Sequence, residues 1–146
     1  MTNKYRAYTD GSYLEEEGYP RVGWGYVILD DMDNIIYEDY GQITEDYIHS
    51  RNITGEIKAV VKALIYCEEH GIYDVTIYHD YTGLKHWVTK KEDGNYEWQA
   101  KNDLTLGYRV FVESSPVNVT FVKVKGHSKD KWNDYVDELA KRGSKL

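Results

Sequence analysis

Three short runs rich in β-branched and aromatic residues occupy the first part of the chain, and turn-forming stretches separate them. Such runs are typical of strands joined by hairpins. Apolar residues then recur at helical spacing as far as Cys67, and Gly71 closes the segment, which predicts a helix with one buried stripe. The predicted strands are Tyr5–Thr9, Gly23–Leu29 and Ile35–Gly41, and the predicted helix is Glu56–Glu69.

The rest of the chain alternates further strand and helix patterns. They predict strands at Asp74–His79 and Asn118–Lys123 and helices at Tyr81–Val88, Leu104–Glu113 and Lys131–Lys141. The resulting order, βββαβααβα, combines hairpin and crossover connections. We therefore expect an α/β fold in which a five-stranded mixed sheet carries helices on both faces. A length of 146 residues suits one compact core, so we expect a single domain over residues 1–146.

Composition narrows the class of protein. The formal net charge of -7, from 25 acidic against 18 basic residues, argues against a general polyanion binder, because Lys and Arg supply most of the affinity for nucleic acid. The sequence has no run of 18 apolar residues and no secretory signal pattern, so we expect no membrane association. Cys67 is the only cysteine, which excludes an internal disulfide and favours a reducing, cytoplasmic location.

Two acidic residues stand where predicted strands end. Asp10 follows the first strand in "YTDGSY", and Asp80 follows the fourth in "TIYHDY". Ligands of open α/β sheets bind at the carboxyl ends of the strands. Glu56 lies in the first turn of the predicted helix, on the face that should bury against the sheet. Taken singly, each acid also fits a turn, a cap or a helix-dipole role.

Taken together, these acids need a compensating cation, because carboxylates about 4–6 Å apart raise each other's pKa. Mg²⁺ suits a sparse set of carboxylates, since it keeps several waters and accepts substrate phosphate. The sequence has no Cys/His cluster at metal spacing, which argues against zinc. Near the carboxyl end, His127 lies in a loop ahead of the final helix, where Asn133 and Asp137 share one flank. A histidine in such a loop is also often incidental.

Four motifs, in this order and spacing, resemble those of ribonuclease H type 1. They are "YTDGS", "NITGE" opening a helix, "YHD" ending a strand, and "GHSKDKWNDYVDELA". The resemblance covers nearly the whole chain and implies the ribonuclease H-like fold. It also implies an endonuclease that cuts the RNA strand of RNA/DNA hybrids and leaves 5′-phosphate and 3′-hydroxyl ends. Two Mg²⁺ ions, for which Mn²⁺ can substitute, would clamp the scissile phosphate.

The resemblance assigns catalytic roles to five residues of this chain. His127 matches the loop histidine that assists proton transfer or product release. Asp134 competes for the fourth acidic position, although the spacing "N-x-x-x-D-E-L-A" favours Asp137. The acids that match the metal-binding and catalytic set are Asp10, Glu56, Asp80 and Asp137.

Residues that flank the motifs are expected to contact the substrate. Asn52 resembles an asparagine that touches the RNA strand in the minor groove, and Arg51 beside it could contact a phosphate. Trp98 could stack on a sugar or a base, although packing at the base of a helical arm competes with that role. The other expected contacts are Gly11 and Ser12. The expected partner is an RNA/DNA hybrid, bound by a monomer with no obligate protein partner.

The sequence departs from the family pattern near the first and third motifs. Three acids, Glu15 to Glu17, replace a Gly-Pro-rich turn and would either repel phosphate or face solvent at a hairpin tip. Tyr81 stands where serine is common, and the arm that is basic in some members has a net charge near zero here. These departures leave a non-catalytic binding module on the same fold as an alternative. A related exonuclease is disfavoured, because Ser12 stands where its Asp-x-Glu pair needs a glutamate.

Overall fold

The computed structural model describes residues 4–43, 52–125 and 130–146, apart from the side chain of Asn52. These ranges contain the strands and helices in the predicted order, βββαβααβα. The strands are β1 Tyr5–Glu16, β2 Tyr19–Leu29, β3 Ile35–Ile43, β4 Asp74–His79 and β5 Asn118–Lys123. The helices are α1 Asn52–Glu69, α2 Gly83–His86, α3 Asp103–Ser114 and α4 Lys131–Ser144. None of the described helices is long and apolar enough to cross a bilayer.

The strands form one five-stranded sheet in the order β3-β2-β1-β4-β5. The hairpin-connected strands β1, β2 and β3 pair antiparallel, whereas β4 pairs parallel with both β1 and β5. This arrangement confirms the predicted mixed sheet. It also makes β1 the central strand, which therefore has an antiparallel and a parallel neighbour.

Helices cover both faces of the sheet, because alternate side chains of each strand point to opposite sides. On one face, Val22 and Ile28 of β2 pack in the larger core with residues of α1, α2 and α3. On the other face, Val27 and Leu29 of the same strand pack with Val136 of α4. The prediction of helices on both faces is confirmed.

The first strand is longer than predicted. Asp10 does not end β1, which continues to Glu16 because β2 supplies an antiparallel partner as far as the pair Glu16 and Tyr19. Glu17 and Gly18 connect the two strands with φ of 54° and 82°. Positive φ at both central residues is the geometry of a two-residue type I′ hairpin. The Gly-Ser pair after Asp10 is therefore strand rather than turn.

Two helices also differ from their predicted bounds. α1 begins at Asn52, four residues before the predicted start, so Glu56 lies in the second turn rather than the first. α2 spans only Gly83–His86. At both ends of α2, backbone hydrogen bonds join residues three apart in the chain. The N–H of Leu84 donates to the carbonyl of Tyr81, and the N–H of Val88 donates to the carbonyl of Lys85. Such bonds are typical of helix ends.

Candidate active site

The first two acids lie where the central strands separate. β1 pairs with β4 only over Tyr5–Tyr8, and Asp10 comes two residues later, paired with Gly25 of β2 on its other side. β4 ends at His79, so Asp80 is the first residue beyond that strand. Both acids therefore lie at the carboxyl end of the parallel pair, where ligands of such sheets bind.

Glu56 reaches the same point from α1. One carboxylate oxygen from each of Asp10, Glu56 and Asp80 lies within 4.8 Å of the others, and we name these residues the acid cluster. Asp10 and Glu56 are only 4% and 5% exposed. The backbone N–H of Gly11 donates a hydrogen bond of 2.9 Å to Oδ1 of Asp10, which fixes that carboxylate.

Burial and mutual repulsion favour the protonated forms of the acid cluster. Burial raises the pKa of Asp10 to about 8, and the charges of Asp80 and Asp137 contribute to the increase. Burial, followed by the charge of Asp10, raises the pKa of Glu56 well above its usual range. Burial also raises the pKa of Asp80, again with Asp137 as the main repelling charge. Ionised together, these carboxylates need a cation beside them.

The donor atoms of the acid cluster fit a hard divalent cation. Oε2 of Glu56 is buried and has no hydrogen-bond partner among the described residues. A buried carboxylate oxygen without a partner is costly unless an ion or a proton satisfies it. All three residues offer oxygen, the ligand that Mg²⁺ and Mn²⁺ prefer, and no nitrogen or sulfur.

Asp137 lies at the margin of this group. Its carboxylate is 42% exposed and pairs with Nζ of Lys141, one turn later on α4, at 2.9 Å. Its charge nevertheless helps to raise the pKa of both Asp10 and Asp80. The assignment of Asp137 as the fourth acid stays a prediction.

The acid cluster should make the metal-free protein less stable as the pH rises. The folded state retains a proton on Asp10 up to about pH 8, whereas the unfolded chain loses it near its usual value of 3.8. Folding therefore binds protons in this interval, and the free energy of unfolding decreases with pH. Between about pH 6.5 and 8 we expect a decrease of about 1–2 kcal/mol, measured by urea unfolding in EDTA.

Between pH 6.5 and 8, the titration of His79 does not oppose this decrease in the free energy of unfolding. Burial lowers the pKa of that side chain from 6.5 to about 4, so its contribution to stability rises with pH only below 6.5. Added Mg²⁺ should restore the lost stability at pH 8, and Asp10→Asn should flatten the pH dependence. A free energy of unfolding that stays constant or rises between pH 6.5 and 8 in EDTA would contradict this account.

The structure describes only some of the other predicted site residues. His127 and Arg51 lie outside the described residues, and Asn52 is described only as the first residue of α1. Gly11 and Ser12 lie on β1 directly after Asp10. Trp98 lies in the segment between α2 and α3.

Trp98 belongs to an aromatic group that extends toward Asp80. It is 40% exposed, stacks on His86 at 4.9 Å between ring centroids, and contacts the edge of Trp87 at 5.8 Å. Trp87 in turn contacts Tyr81 at 5.8 Å. The Arg109 side chain donates hydrogen bonds to the carbonyls of Trp87 and Trp98 and so holds this group in place.

The acidic hairpin tip is exposed and distant from the acid cluster along the strand. Glu15, Glu16 and Glu17 are all exposed. Glu15 lies five residues after Asp10 on extended strand, a separation of about 17 Å. This distance exceeds the screening length of about 8 Å at physiological salt, so these charges act weakly on a phosphate at the cluster.

A family model for RNase H matches residues 2–145, almost the entire chain. The chain belongs to the RNase H family. A ribonuclease H from Chlorobium phaeobacteroides is 28% identical to it, covering 99% of this chain and 98% of the relative. The family match and the relatives named ribonuclease H identify the chain as an enzyme of the ribonuclease H type.

Solved structures confirm the ribonuclease H fold. RNase H1 from the halophilic archaeon Halobacterium salinarum superimposes with a TM-score of 0.74 at 18% identity, over 96% of each chain. LC11-RNase H1, crystallised in complex with an RNA/DNA hybrid, gives a TM-score of 0.72 at 20% identity, over 97% of this chain and 96% of that one.

Sequence reasoning missed one feature of this RNase H site, the close contact of α1 with β1. A Cβ at Gly55 would lie 2.6 Å from the carbonyl oxygen of Gly23 and 3.1 Å from Cα of Gly11. Gly55 therefore lets the start of α1 approach the sheet and brings Glu56 to Asp10. The available signal was a glycine next to the acid in "NITGE", since glycine is otherwise unfavourable inside a helix.

Proposed function

We propose that this chain is an endonuclease that hydrolyses the RNA strand of RNA/DNA hybrids at the acid cluster. The observation that carries the proposal is the convergence of three carboxylates, two of them almost fully buried, at the carboxyl end of the central strands. Such a cluster is costly without a cation, and a module that only bound nucleic acid would have no use for it. The complex of LC11-RNase H1 with an RNA/DNA hybrid supports the choice of substrate.

Asp10, Glu56, Asp80 and Asp137 would hold two divalent ions, Mg²⁺ or Mn²⁺. When bound, such ions neutralise charge on the phosphate and make water a better nucleophile. The chain itself contributes position, because β1, α1 and the end of β4 hold the carboxylates in place before substrate arrives. His127 would move a proton or assist product release. The expected products carry 5′-phosphate and 3′-hydroxyl ends.

Selectivity for a hybrid would come from the difference between ribose in the RNA strand and deoxyribose in the DNA strand. A ribose hydroxyl in the wide minor groove marks the RNA strand, and its absence marks the DNA strand. Asn52, Arg51, Gly11 and Ser12 are proposed contacts to the hybrid, and Trp98 is a proposed stacking contact on the arm. We further propose that residues 1–146 form a single domain that acts as a monomer.

The chemistry of the product ends tests the mechanism. Cleavage of an end-labelled hybrid in Mg²⁺ should give 5′-phosphate and 3′-hydroxyl ends and should stop in EDTA. Cleavage that persists in EDTA and leaves a 2′,3′-cyclic phosphate would show attack by the ribose hydroxyl. That result would exclude metal-assisted hydrolysis by the acid cluster.

Hybrid affinity should depend weakly on salt. Each phosphate contact made by Lys or Arg contributes about 0.9 to the slope of log affinity against log salt concentration. The arm between α2 and α3 has little net charge, since its three lysines, Lys90, Lys91 and Lys101, are balanced by Glu92, Asp93 and Glu97. Nζ of Lys90 also lies over the ring of Tyr96. We expect a slope shallower than about -5, measured by fluorescence anisotropy of a labelled hybrid with Asp10→Asn protein. A steeper slope would reveal phosphate contacts that this account omits.

A further inference from the structure

The edge strand β5 ends beside the acid cluster, and its last residue is a lysine. Lys123 is the Cα partner of His79, the residue before Asp80, and the N–H of Val124 donates to the carbonyl of His79 at 2.7 Å. Neighbouring strands lie about 4.8 Å apart and rise about 3.3 Å per residue. The Cα atoms of Lys123 and Asp80 are therefore about 6 Å apart.

The side chain of Lys123 projects to the α1 side of the sheet and is exposed. Paired residues of neighbouring strands point to the same face. The His79 ring is fully buried and contacts the edge of Phe121 at 5.8 Å between centroids, and Phe121 packs on the larger core. Lys123 continues this row as its exposed last member, so its ammonium group is open to a ligand at the edge of the site.

A second lysine lies on the same side of the sheet. Lys85 of α2 lines a groove together with Thr120 and Phe121 of β5. Both lysines are exposed, and neither forms a salt bridge within the part of the chain that the structure describes. Lys141 of α4, by contrast, is paired with Asp137 at 2.9 Å. The side of the site next to α2 and β5 therefore offers cations that no described carboxylate neutralises.

The chemistry of these cations selects a phosphate of the substrate. A lysine ammonium group binds phosphate as a compact point charge on a long, flexible stem. With the scissile phosphate at the acid cluster, the next phosphates of the same strand lie closest to it, because the wide minor groove separates them from the other strand. A cation at the edge of the site is therefore suited to a neighbouring phosphate of the cut strand.

We propose that Lys123 binds the phosphate of the cut strand next to the scissile one, with Lys85 adding to the positive potential there. The proposal rests on the proposed function and identifies a positioning residue for it. Because the contact is a single ion pair at an exposed position, its loss should lower kcat/KM about 3- to 10-fold. It should also make the slope of log affinity against log salt concentration shallower by about 0.9.

Lys123→Met tests the proposal, because it removes the charge and keeps the length of the side chain. For wild type and variant, kcat/KM is measured on hybrids whose cut strand carries four central ribonucleotides flanked by DNA, with one phosphate of either strand replaced by a neutral methylphosphonate. The sugar before that linkage is 2′-deoxy or 2′-methoxy in the modified strand and in its charged reference, because a free 2′-hydroxyl would break the linkage. We expect one position of the cut strand, next to the cleaved linkage, at which the methylphosphonate penalty is about 3- to 10-fold smaller for Lys123→Met than for wild type.

Lys4→Met is the matched control, because Lys4 is also exposed but precedes β1, about 20 Å along the strand from Asp10. It should keep the wild-type penalties, and it should keep the salt slope when affinity is measured by fluorescence anisotropy in the Asp10→Asn background. Lys123→Arg should keep the penalty at the one position.

Equal penalties at every position for wild type and Lys123→Met would overturn the phosphate contact alone, even if the variant were slower throughout, because Lys123 would then only offset the charge of Asp80. A difference confined to the uncut strand, or an unchanged salt slope, would also overturn it. Failure of wild type to cut the unmodified hybrid in Mg²⁺ would overturn the proposed function and the contact with it.

Discussion

Replacing Asp10 with asparagine is expected to lower hybrid cleavage by at least about 10³-fold, because the change removes a carboxylate from the centre of the acid cluster. The amide keeps the size of the side chain but cannot supply the negative charge that a divalent ion needs. Burial favours the neutral form at this position, so the variant should fold and should be at least as stable as metal-free wild type at pH 8. The measurements are the cleavage rate in Mg²⁺ and urea unfolding in EDTA.

Asp74→Asn is the matched control for this substitution. Asp74 is exposed at the other end of β4, so the change removes the same formal charge from a place remote from the cluster. It should leave the cleavage rate within about twofold of wild type, because exposed charges contribute little. Retention of hybrid cleavage by well-folded Asp10→Asn would place the chemistry elsewhere in the molecule.

Gly11→Ala is expected to affect both stability and activity, because α1 leaves no space at this position. The added Cβ would lie 2.5 Å from the backbone N of Glu56 and 2.6 Å from the carbonyl carbon of Gly55. Backbone atoms cannot rotate away as a flexible side chain can, so the start of α1 must move. We expect the free energy of unfolding to decrease by about 1–3 kcal/mol, as in other overpacked sites.

The same displacement carries Glu56 away from Asp10. A shift of about 1 Å in a catalytic group can cost about 10²-fold in rate, and we expect kcat/KM to decrease by that order. Gly107→Ala is the control, since no atom outside its own helix backbone lies within 4 Å of a Cβ there and alanine favours a helix. Wild-type stability and activity in Gly11→Ala would show that β1 and α1 are not as closely packed as described.

The fold was predictable where local signals agreed with tertiary pairing. β4 and β5 begin and end at the predicted residues, because turn-forming stretches bound each short apolar run. The end of β1 was not predictable, because Asp10 and the Gly-Ser pair after it have the composition of a turn. The extension to Glu16 depends on a hairpin partner that no local pattern in β1 reveals.

The acid cluster was predictable in its members but not in its construction. Asp80 followed from the end of β4, and Glu56 followed from the helical stripe. Asp10 was found from a predicted strand end that was wrong, because β1 continues to Glu16. That Gly11 and Gly55 let α1 approach β1 could not be read from periodicity, because it depends on distances between elements. Tyr81 was visible only as a departure from a family pattern, and its contact with Trp87 could not be read from the sequence.

The central claim is that the acid cluster cuts RNA only when it is paired with DNA. The most direct test is the cleavage rate of wild-type protein in Mg²⁺ on one sequence presented as RNA/DNA hybrid, double-stranded RNA, single-stranded RNA and double-stranded DNA, with each strand labelled in turn. The account predicts cutting of the RNA strand of the hybrid alone. Equal cutting of double-stranded RNA, or no cutting of the hybrid by folded protein in Mg²⁺ or Mn²⁺, would contradict it.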